Sequence, residues 1–409
     1  MAKIILPNPH NGQKIVLSQS RRFNVLAAGR RWRKTTMTMM IAVENAIHGK
    51  KIVWGAPTFD QVRVGWNETK HAAGTIAKFT QLNMTATFPN GGEIIYRSLD
   101  DPNNARGHTA DGVVIDEAGF VKQEAWYEVL RQMLMDTGGW AWLVGTPNGH
   151  NWFWREYQNG LTRDDTRCWQ APSLGCRIEN GVLIREPHIL ENPDLPFEEL
   201  QNIYHTSTER VFRQEILAEF MESAGGVFRN IQPCMTAQPG DHTGHYIVAG
   251  VDWAKSNDFT AVSVGCRDCQ TEIAIDRFNQ IDFHFQRERI KALCEKHGVK
   301  SLLVEKNSIG EPNLEELIRS GLPAIGFTTT ATSKPPLIEN LALALEKQEW
   351  KFISDPVWTG ELEAYEQSIN SNTGRSSYSA PQGLHDDTVI ARALMLRAAS
   401  RGNLVLFEV

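Results

Sequence analysis

The chain has 409 residues, of which 41% are hydrophobic and 22% are charged. At roughly 150 residues per domain, this length predicts two or three domains. The ordinary globular composition excludes a collagen-like, low-complexity or wholly disordered chain. The formal net charge of −6 excludes a polycation that coats nucleic acid, although it is compatible with local basic surfaces. No segment approaches the roughly 18 consecutive apolar residues of a membrane-spanning helix, and no secretory signal is expected.

The six cysteines predict no disulfide scaffold, because a chain of this size can bury a core and a reducing cytoplasm is the expected compartment. One closely spaced pair occurs, in the run Cys266-Arg-Asp-Cys269. A zinc site would need two further ligands, for which the sequence offers only scattered candidates such as Cys294 and His284. Because the pair falls between two strand-like runs, a hairpin turn without a metal is the preferred interpretation.

Short apolar runs alternate with helical stretches in the first half of the chain. Strands are predicted at FNVLAAG, KIVWGAP, DGVVIDEAG and AWLVGTPNG, and the first strand is followed by the helix TTMTMMIAVENAIHG. Such alternation predicts a mostly parallel sheet covered by helices. From about 151 to 222 the pattern becomes polar and helical, which indicates a lid or linker part of the same domain. We therefore assign residues 1–222 to a first α/β domain.

A stretch rich in Gly, Pro and Thr follows at residues 223–245 and is predicted to be a linker. The second half then restarts with the strand YIVAGVDWA, a hairpin, a helix and the strand SLLVEKN, and it ends in the helix DDTVIARALMLRAA. This order predicts a second α/β domain at residues 246–409.

The segment AAGRRWRKT lies between the first predicted strand and its helix. In this position a phosphate-binding loop holds phosphates with backbone N–H groups and the helix N-terminus. The loop residues expected to contact ATP are Gly29, Arg30 and Arg31. Lys34 would reach the β and γ phosphates, and the Thr35 hydroxyl would hold Mg²⁺. Two glycines of the G-x-x-x-x-G-K-[ST] pattern are replaced, by Ala28 and Arg33, so a basic turn before a helix is the alternative.

The run VVIDEAG supplies the partner motif. Asp116 ends an apolar strand, where it can hold Mg²⁺, and Glu117 can orient or deprotonate the attacking water. A strand that ends in two acids also occurs for structural reasons alone. The order of strand, basic loop, Lys-Thr, helix and strand-Asp-Glu nevertheless predicts an ATPase. Thr146, after another strand, is either a sensor of the γ phosphate or part of a simple turn.

Carboxylates recur at strand ends and at a helix start in the second half. Asp252 lies in an apolar run, where an unpaired carboxylate is costly, and Glu305 ends another. Asp386 and Asp387 open the last helix. Acids from three separated elements can converge on two Mg²⁺ ions, which activate water and stabilise the leaving oxygen of a phosphodiester. The alternatives are helix capping by the last two acids, a turn at Asp252 and a pair between Glu305 and Lys306.

In their order and spacing, AAGRRWRKT, VVIDEAG and VGTPNG resemble the ATPase half of the large terminase subunit of tailed double-stranded DNA bacteriophages. The resemblance implies that Gln13 reads adenine and that Thr146 belongs to a coupling motif. Asp116 and Glu117 match the Walker B metal acid and the catalytic glutamate. Arg106 matches an arginine finger offered to a neighbouring subunit, for which a surface arginine is the alternative.

The acids of the second half resemble the ribonuclease H-like nuclease domain of the same family, in the order strand Asp, hairpin, strand acid and helical Asp. On this resemblance Asp252, Glu305 and Asp387 are metal ligands, and Asp258 and Asp386 are supporting acids. The implied fold is α/β, with a P-loop ATPase domain on a mostly parallel sheet followed by a ribonuclease H-like nuclease domain. The implied cofactors are ATP and Mg²⁺, and Mn²⁺ can substitute at the nuclease site.

The resemblance implies a motor that packages double-stranded viral DNA into procapsids and cleaves concatemeric DNA with an endonuclease. The expected partners are duplex DNA, a small terminase subunit and the portal protein, with a homo-pentamer on the capsid, a monomer in solution and no membrane. The expected place is the host cytoplasm and not the mature virion. Two other interpretations stay open: a cellular ATP-dependent repair nuclease or translocase, and a non-catalytic DNA-binding assembly subunit with a decayed P-loop, for which Arg33 is the evidence.

Overall fold

The computed structural model describes residues 4–221, 226–253, 259–306, 310–369, 376–381 and 385–400. The chain divides into two compact units, with the main boundary between Ser223 and Ala224. Among the described residues, no helix combines the length and the apolar character that crossing a lipid bilayer requires.

The first unit is built around a large sheet with helices on both sides. Its helices and strands in chain order are α1 (Asn11–Ser18), β1 (Phe23–Ala28), α2 (Lys34–Ile47), β2 (Lys51–Ala56), α3 (Phe59–Ala73), β3 (Lys78–Thr80), β4 (Thr85–Thr87), β5 (Glu93–Ser98), β6 (Gly112–Ile115), β7 (Trp140–Gly145), α4 (Trp152–Gly160), β8 (Thr166–Ala171), β9 (Cys176–Glu179), β10 (Val182–Arg185), α5 (Phe197–Thr206) and α6 (Glu209–Glu215). Short helical turns of other types lie at Pro102–Ala105, Ala118–Phe120, Ala125–Leu130 and Gln132–Leu134.

The strands of this sheet follow the order β3-β4-β5-β2-β6-β7-β1-β8. From β5 to β8 all neighbours are parallel, whereas β3 and β4 are antiparallel at one edge. Every residue of Phe23–Ala28 is buried, as expected for a parallel strand covered on both faces. Because β1, β6 and β7 are parallel neighbours, the loops that follow them open at the same edge, where ligands of such sheets bind.

The region 151–222, predicted as polar and helical, also contains strands. β8 joins the main sheet beside β1, and β9 pairs with β10 in a separate antiparallel hairpin. β8 is the last strand at one edge of this sheet, and three of its six residues are buried.

The second unit has a smaller sheet. Its helices and strands in chain order are α7 (Ile231–Cys234), β11 (Ile247–Asp252), β12 (Thr260–Cys266), β13 (Thr271–Phe278), α8 (Phe283–His297), β14 (Val299–Glu305), α9 (Gly310–Arg319), β15 (Ala324–Phe327), α10 (Lys334–Glu346), α11 (Pro356–Ala364), β16 (Glu366–Ile369), β17 (Ser376–Ser379) and α12 (Asp387–Ala399). Within the predicted linker, Phe228, Ile231 and Cys234 are buried in the core of this unit.

The strand order of the second sheet is β13-β12-β11-β14-β15. β11, β12 and β13 are antiparallel, and β14 and β15 continue parallel to β11. α12 packs directly on β11, and a Cβ atom at Gly250 would lie 2.2 Å from the carbonyl oxygen of Ala391. A glycine is therefore required where helix and strand approach. The predicted α/β class, with its mostly parallel sheet and its strand, hairpin, strand and closing helix, is confirmed.

Candidate nucleotide and metal sites

Residues from three loops meet at the carboxyl edge of the first sheet. The Lys34 Nζ atom lies 3.1 Å from Thr146 Oγ1 and 3.1 Å from Glu117 Oε1. The Thr35 hydroxyl donates to Asp116 Oδ2 across 2.7 Å. The loop after β1, the end of β6 and the end of β7 thus bring together five of the residues predicted for ATP binding and hydrolysis.

Burial sets the electrostatics of this cluster. Asp116 is 4% exposed, and its desolvation together with the Glu117 carboxylate raises the pKa of Asp116 above its ordinary value. The Thr35 hydroxyl and the Lys34 ammonium act in the opposite direction. A buried carboxylate beside a hydroxyl is a set of hard oxygen donors that suits Mg²⁺, whose charge would favour the ionised form. The residues present therefore fit a magnesium-bound nucleotide.

The loop before α2 is held by packing and by hydrogen bonds to its carbonyl groups. A Cβ atom on Gly29 would lie 2.3 Å from Ser173 Oγ, so no side chain fits there. The Ser173 hydroxyl donates to the Arg30 carbonyl at 2.6 Å, and Asn192 Nδ2 donates to the Arg31 carbonyl at 2.9 Å. Glycine is thus required at position 29 for close packing.

Arg30 also forms an ion pair with Glu215 at the end of α6. The Glu215 carboxylate raises the pKa of Arg30. The sequence offered no sign of this acid, because only the fold brings α6 to the loop.

Arg33 adopts a left-handed backbone, with φ 66° and ψ 37°, immediately before α2. This is the conformation that glycine adopts without strain, which explains the glycine of the usual pattern. Both ends of the Gln13 amide are engaged: Nε2 donates to the Arg33 carbonyl at 3.0 Å, and Oε1 accepts from the backbone N–H of His10 at 3.0 Å. In this structure Gln13 braces the loop, and adenine reading stays a prediction.

Arg106 follows the helical turn Pro102–Ala105 between β5 and β6. Its side chain is 59% exposed, and its guanidinium lies 4.0 Å from the Glu128 carboxylate. The carboxylate partner is thus a surface residue outside the Lys34 cluster. The predicted arginine finger stays a prediction, and the exposed position leaves the side chain accessible.

The strand acids of the second unit are neighbours. β11 and β14 run parallel with Val251 paired to Val304, so Asp252 and Glu305 follow side by side at the strand ends. Asp252 is 8% exposed. Burial and a hydrogen bond with Glu305 raise the pKa of Asp252 well above its ordinary value, and the negative charge of Asp387 adds to this effect. All three predicted metal ligands therefore converge.

The start of α12 excludes the capping interpretation for Asp386. This side chain makes no capping hydrogen bond within the described helix, and its carboxylate lies 3.1 Å from Lys334 Nζ. Glu361 instead accepts from the backbone N–H of Thr388 at 3.0 Å. Asp387 is 7% exposed and is positioned by the first turn of the helix. Asp386 is thus held beside the acidic cluster by a lysine.

Two positively charged side chains near the acids were not predicted from the sequence. Besides Lys334, Arg277 on β13 places Nη2 3.2 Å from Glu361 Oε1 and 4.0 Å from Asp387 Oδ2. Its guanidinium stacks on the Phe259 ring at 3.5 Å. An alternating strand pattern carries no sign of such a role, since the contacts depend on the pairing of β13 with β12.

Asp258, the other predicted supporting acid, lies outside the described residues. The described acids Asp252, Glu305, Asp386 and Asp387 supply only hard oxygen donors, which suit Mg²⁺ or Mn²⁺. Burial and the neighbouring carboxyl groups raise the pKa of Asp252, and the charge of a bound divalent cation would favour its ionised form. The residues present therefore fit a divalent metal site.

The chain matches known proteins over most of its length. The family model "Terminase large subunit, T4likevirus-type, N-terminal" matches residues 25–232, about half of the chain. The large terminase subunit of Thermus virus P23-45 is 28% identical over 327 residues, which cover 73% of this chain and 63% of that protein. That of Escherichia phage T5 is 26% identical over 187 residues, which cover 44% and 39%. The match therefore spans less than two thirds of these relatives.

The fold is also similar to a solved large terminase. A crystal structure of the large terminase from a thermophilic bacteriophage aligns with a TM-score of 0.62 and 14% sequence identity, and the alignment covers 96% of this chain and 99% of that one. At this identity the likeness concerns the fold alone. The family model, which matches half of the sequence, goes further: the chain belongs to the terminase large subunit family.

Proposed function

We propose that the chain is the ATPase and the nuclease of a bacteriophage motor that packages double-stranded DNA into procapsids and cleaves concatemeric DNA. The observation that supports this most is the meeting of Lys34, Thr35, Asp116 and Glu117 at one sheet edge, in a chain whose second unit carries a buried acidic cluster. The similar large terminase of the thermophilic bacteriophage has been crystallised with ATP-γ-S and with ADP, which favours ATP as the nucleotide.

In the first unit, bound Mg-ATP would supply the phosphoryl group whose transfer to water drives translocation. Thr35 and Asp116 would hold the metal ion. Lys34 Nζ lies 3.1 Å from Glu117 Oε1, so the Lys34 ammonium group would have to move from this carboxylate to the phosphates when ATP binds. Glu117 then becomes free to accept the proton of the attacking water. Lys34 also contacts Thr146 at the end of β7, where the coupling motif is predicted. A movement of Lys34 from Glu117 to the phosphates would therefore also change its contact with Thr146.

In the second unit, bound Mg²⁺ or Mn²⁺ would activate water and stabilise the leaving oxygen of the phosphodiester. Asp252, Glu305 and Asp387 would hold the metal. Burial and a hydrogen bond with Glu305 raise the pKa of Asp252, so the positive charge of a bound metal ion would favour its ionised form. Lys334 fixes Asp386 beside the cluster.

The proposal extends to partners. They are duplex DNA, a small terminase subunit and the portal protein, with five copies on the procapsid in the host cytoplasm and a monomer in solution. In such a ring the exposed Arg106 would act on the ATP of a neighbouring copy. Family membership is the support for these expectations.

Two assays on the full chain test the proposal: ATP hydrolysis, and cleavage of a supercoiled plasmid with Mg²⁺, Mn²⁺ or EDTA. We expect Lys34→Ala to abolish hydrolysis and Asp252→Asn to abolish metal-dependent cleavage, each without loss of the other activity. Lys50→Ala and Glu295→Gln, which alter exposed charges of the same kinds, are the controls.

Failure would point to the other interpretations. A folded chain that neither binds ATP nor cuts DNA would be an assembly subunit. ATP-dependent strand unwinding without any procapsid would instead favour a cellular repair enzyme.

A further inference from the structure

Four side chains at one end of the second sheet form a cluster that the proposed function does not use. His242, His245, Cys266 and Cys269 each offer one ligand atom, and these four atoms all lie within 4.8 Å of one another. Cys266 is buried, His242 is half-buried, and His245 and Cys269 are exposed at the rim. Two imidazoles and two thiols at this separation are a set of metal ligands.

Each pair comes from a tight turn. The backbone N–H of His245 donates to the His242 carbonyl at 3.1 Å, and Gly244 adopts φ +81°, which closes the turn. Cys266 ends β12, and Cys269 lies in the turn that leads to β13. Both motifs thus have two residues between the ligands, a spacing at which one turn can present two side chains to one ion.

Strand pairing brings the two turns together. Cys266 pairs with Ile247, the first residue of β11, so the residues just before β11 lie beside the β12–β13 turn. The Tyr246 N–H donates to Asp268 Oδ2 at 2.8 Å, and the Arg267 N–H donates to the Tyr246 carbonyl at 2.9 Å. These bonds fix the separation of the turns without using any of the four ligand side chains.

The imidazoles are aimed into the cluster. His245 Nδ1 lies 3.4 Å from Cys266 Sγ and 3.2 Å from Cys269 Sγ. Both ring nitrogens of His242 are buried, and neither has a hydrogen-bond partner in the described part of the chain. An unpartnered buried polar group is costly, and a bond to a metal ion would satisfy one of these nitrogens.

We propose that His242, His245, Cys266 and Cys269 bind a structural zinc ion. Thiolate and imidazole ligands favour Zn²⁺ over Mg²⁺, and four protein ligands close the tetrahedron, which is the mark of a structural and not a catalytic site. Zinc–ligand bonds of about 2.0–2.3 Å place the ligand atoms about 3.3–3.8 Å apart, so the side chains need to move by only about 1 Å. Binding of Zn²⁺ deprotonates both thiols and releases two protons to water.

The proposed zinc site differs from the sequence-based interpretation of the cysteine pair, which was a hairpin turn without a metal. The hairpin turn is present, but the two missing ligands come from the stretch before β11. They are neither Cys294, which is buried in the core on α8, nor His284, which is exposed at the start of that helix. The sequence alone could not predict that the two histidines lie beside the cysteines, because this depends on the register of β11 and β12.

The zinc site would stabilise the first residues of β11, the strand that carries Asp252 at its other end. β11 extends from Ile247, beside the cluster, to Asp252 at its other end, a length of roughly 16 Å at 3.3 Å per residue. The zinc ion would join the entry of β11 to the β12–β13 hairpin, and it would not share ligands with the acidic cluster. Its role is to hold the sheet on which the acids are positioned.

Metal analysis of the full chain, purified without chelators from cells grown with zinc, tests the site. We expect about one zinc per chain, and replacement by Co²⁺ should give the visible and near-ultraviolet absorption of a tetrahedral cobalt ion with thiolate ligands. Cys269→Ser and His242→Ala should lose the zinc, and their unfolding temperature should fall to that of the zinc-stripped wild type. Because Cys269 is exposed, its serine variant is expected to fold.

Matched variants separate this site from its surroundings. Cys294→Ala and His284→Ala should keep the zinc. Asp252→Asn should also keep the zinc, because this variant is expected to lose only the nuclease activity. A wild-type chain without zinc that gives no thiolate–cobalt absorption would overturn the proposal. Full retention of zinc by both the Cys269→Ser variant and the His242→Ala variant would also overturn the proposal. Neither result bears on ATP hydrolysis or on DNA cleavage.

Discussion

The Thr35 hydroxyl donates a hydrogen bond to the Asp116 carboxylate across 2.7 Å and so joins the start of α2 to the end of β6. The two residues come from distant parts of the sequence, and they meet because β7 alone separates β1 from β6. The contact marks where a hydroxyl and a carboxylate could share one Mg²⁺ ion.

Replacement of Thr35 by valine tests this relationship. Thr35→Val keeps the shape and the β-branching of the side chain but removes the oxygen that would bind Mg²⁺. We expect the rate of ATP hydrolysis to fall about 10- to 100-fold, the usual effect of a lost metal-site partner. Thr36→Val, whose hydroxyl contacts Glu68 instead, is the matched control. Equal rates for the two variants would exclude Thr35 from the metal site.

Asp252→Asn should abolish metal-dependent cleavage and leave the fold intact. Asparagine resembles the protonated carboxyl group that burial and Glu305 favour when no metal is bound, so it removes a metal ligand with little change in packing. We expect plasmid cleavage with Mn²⁺ or Mg²⁺ to fall at least about 100-fold. The circular dichroism spectrum should match that of Glu295→Gln, the exposed-acid control. Normal cutting by Asp252→Asn would remove this residue from the metal site.

Asp116, Asp252 and Glu305 could be predicted because each stands where an apolar strand ends, and Lys34 because it follows a basic loop between a strand and a helix. Strand ends of a parallel sheet share an edge, which is why the loop with Lys34 and the strand ends with Asp116 and Thr146 meet in the structure. The second sheet brought Asp252 and Glu305 together for the same reason. Sequence periodicity therefore predicts which candidate residues lie at the ends of the strands.

Residues that reach these sites from other elements could not be predicted. Lys334 contacts Asp386 only because α10 packs beside α12, and Glu215 contacts Arg30 only because α6 approaches the loop. Such contacts depend on tertiary packing and leave no period in the sequence. The strands β9 and β10 were missed because each has only four residues, of which Leu183 alone is buried.

A buried ion pair should determine the stability of the second unit. The side chains of Glu272 and Arg392 are both fully buried, and Arg392 Nε and Nη2 lie 3.0 and 2.8 Å from the two carboxylate oxygens. Arg392→Met would leave a buried carboxylate without its cation, at a cost of about 3–5 kcal/mol. Arg319→Met, which breaks an exposed pair, should cost less than about 1 kcal/mol.

Denaturant unfolding of the full chain measures both variants. Replacement of both partners, as in Glu272→Leu with Arg392→Met, should recover part of the loss, because no buried charge then remains. If Arg392→Met unfolded at the same denaturant concentration as Arg319→Met, the pair would have no special role in stability.

His10 should make the first unit sensitive to acid. Its Nδ1 accepts from the Gln13 N–H, so the other ring nitrogen donates to the Trp32 carbonyl at 3.1 Å. Burial lowers the pKa of His10 below 6.5, and the Arg33 charge adds to this effect. The unfolded chain therefore binds a proton more readily than the folded one. The stability that His10 contributes is complete above about pH 6.5 and is lost as the pH falls through the folded pKa.

Unfolding temperatures between about pH 5 and pH 8 measure this dependence. We expect His10→Gln to flatten the decline on the acid side, by at most about 1.4 kcal/mol per pH unit for one proton. His71→Gln, which changes an exposed histidine of the same unit, should leave the decline unchanged. A decline that is identical in both variants would show that other groups cause it.

Arg33 occupies a left-handed backbone position, so the conformation and not the side chain should matter there. Arg33→Gly removes the steric conflict, whereas Arg33→Val places a β-branched residue where it fits worst. We expect the valine variant to be less stable than the glycine variant by about 1–2 kcal/mol. The ion pair with Asp194 is half exposed on both sides, so its loss in both variants should contribute little.

Since glycine restores the usual loop pattern, Arg33→Gly should hydrolyse ATP at least as fast as the wild type. A slower Arg33→Gly with unchanged stability would instead assign the guanidinium itself a part in nucleotide binding.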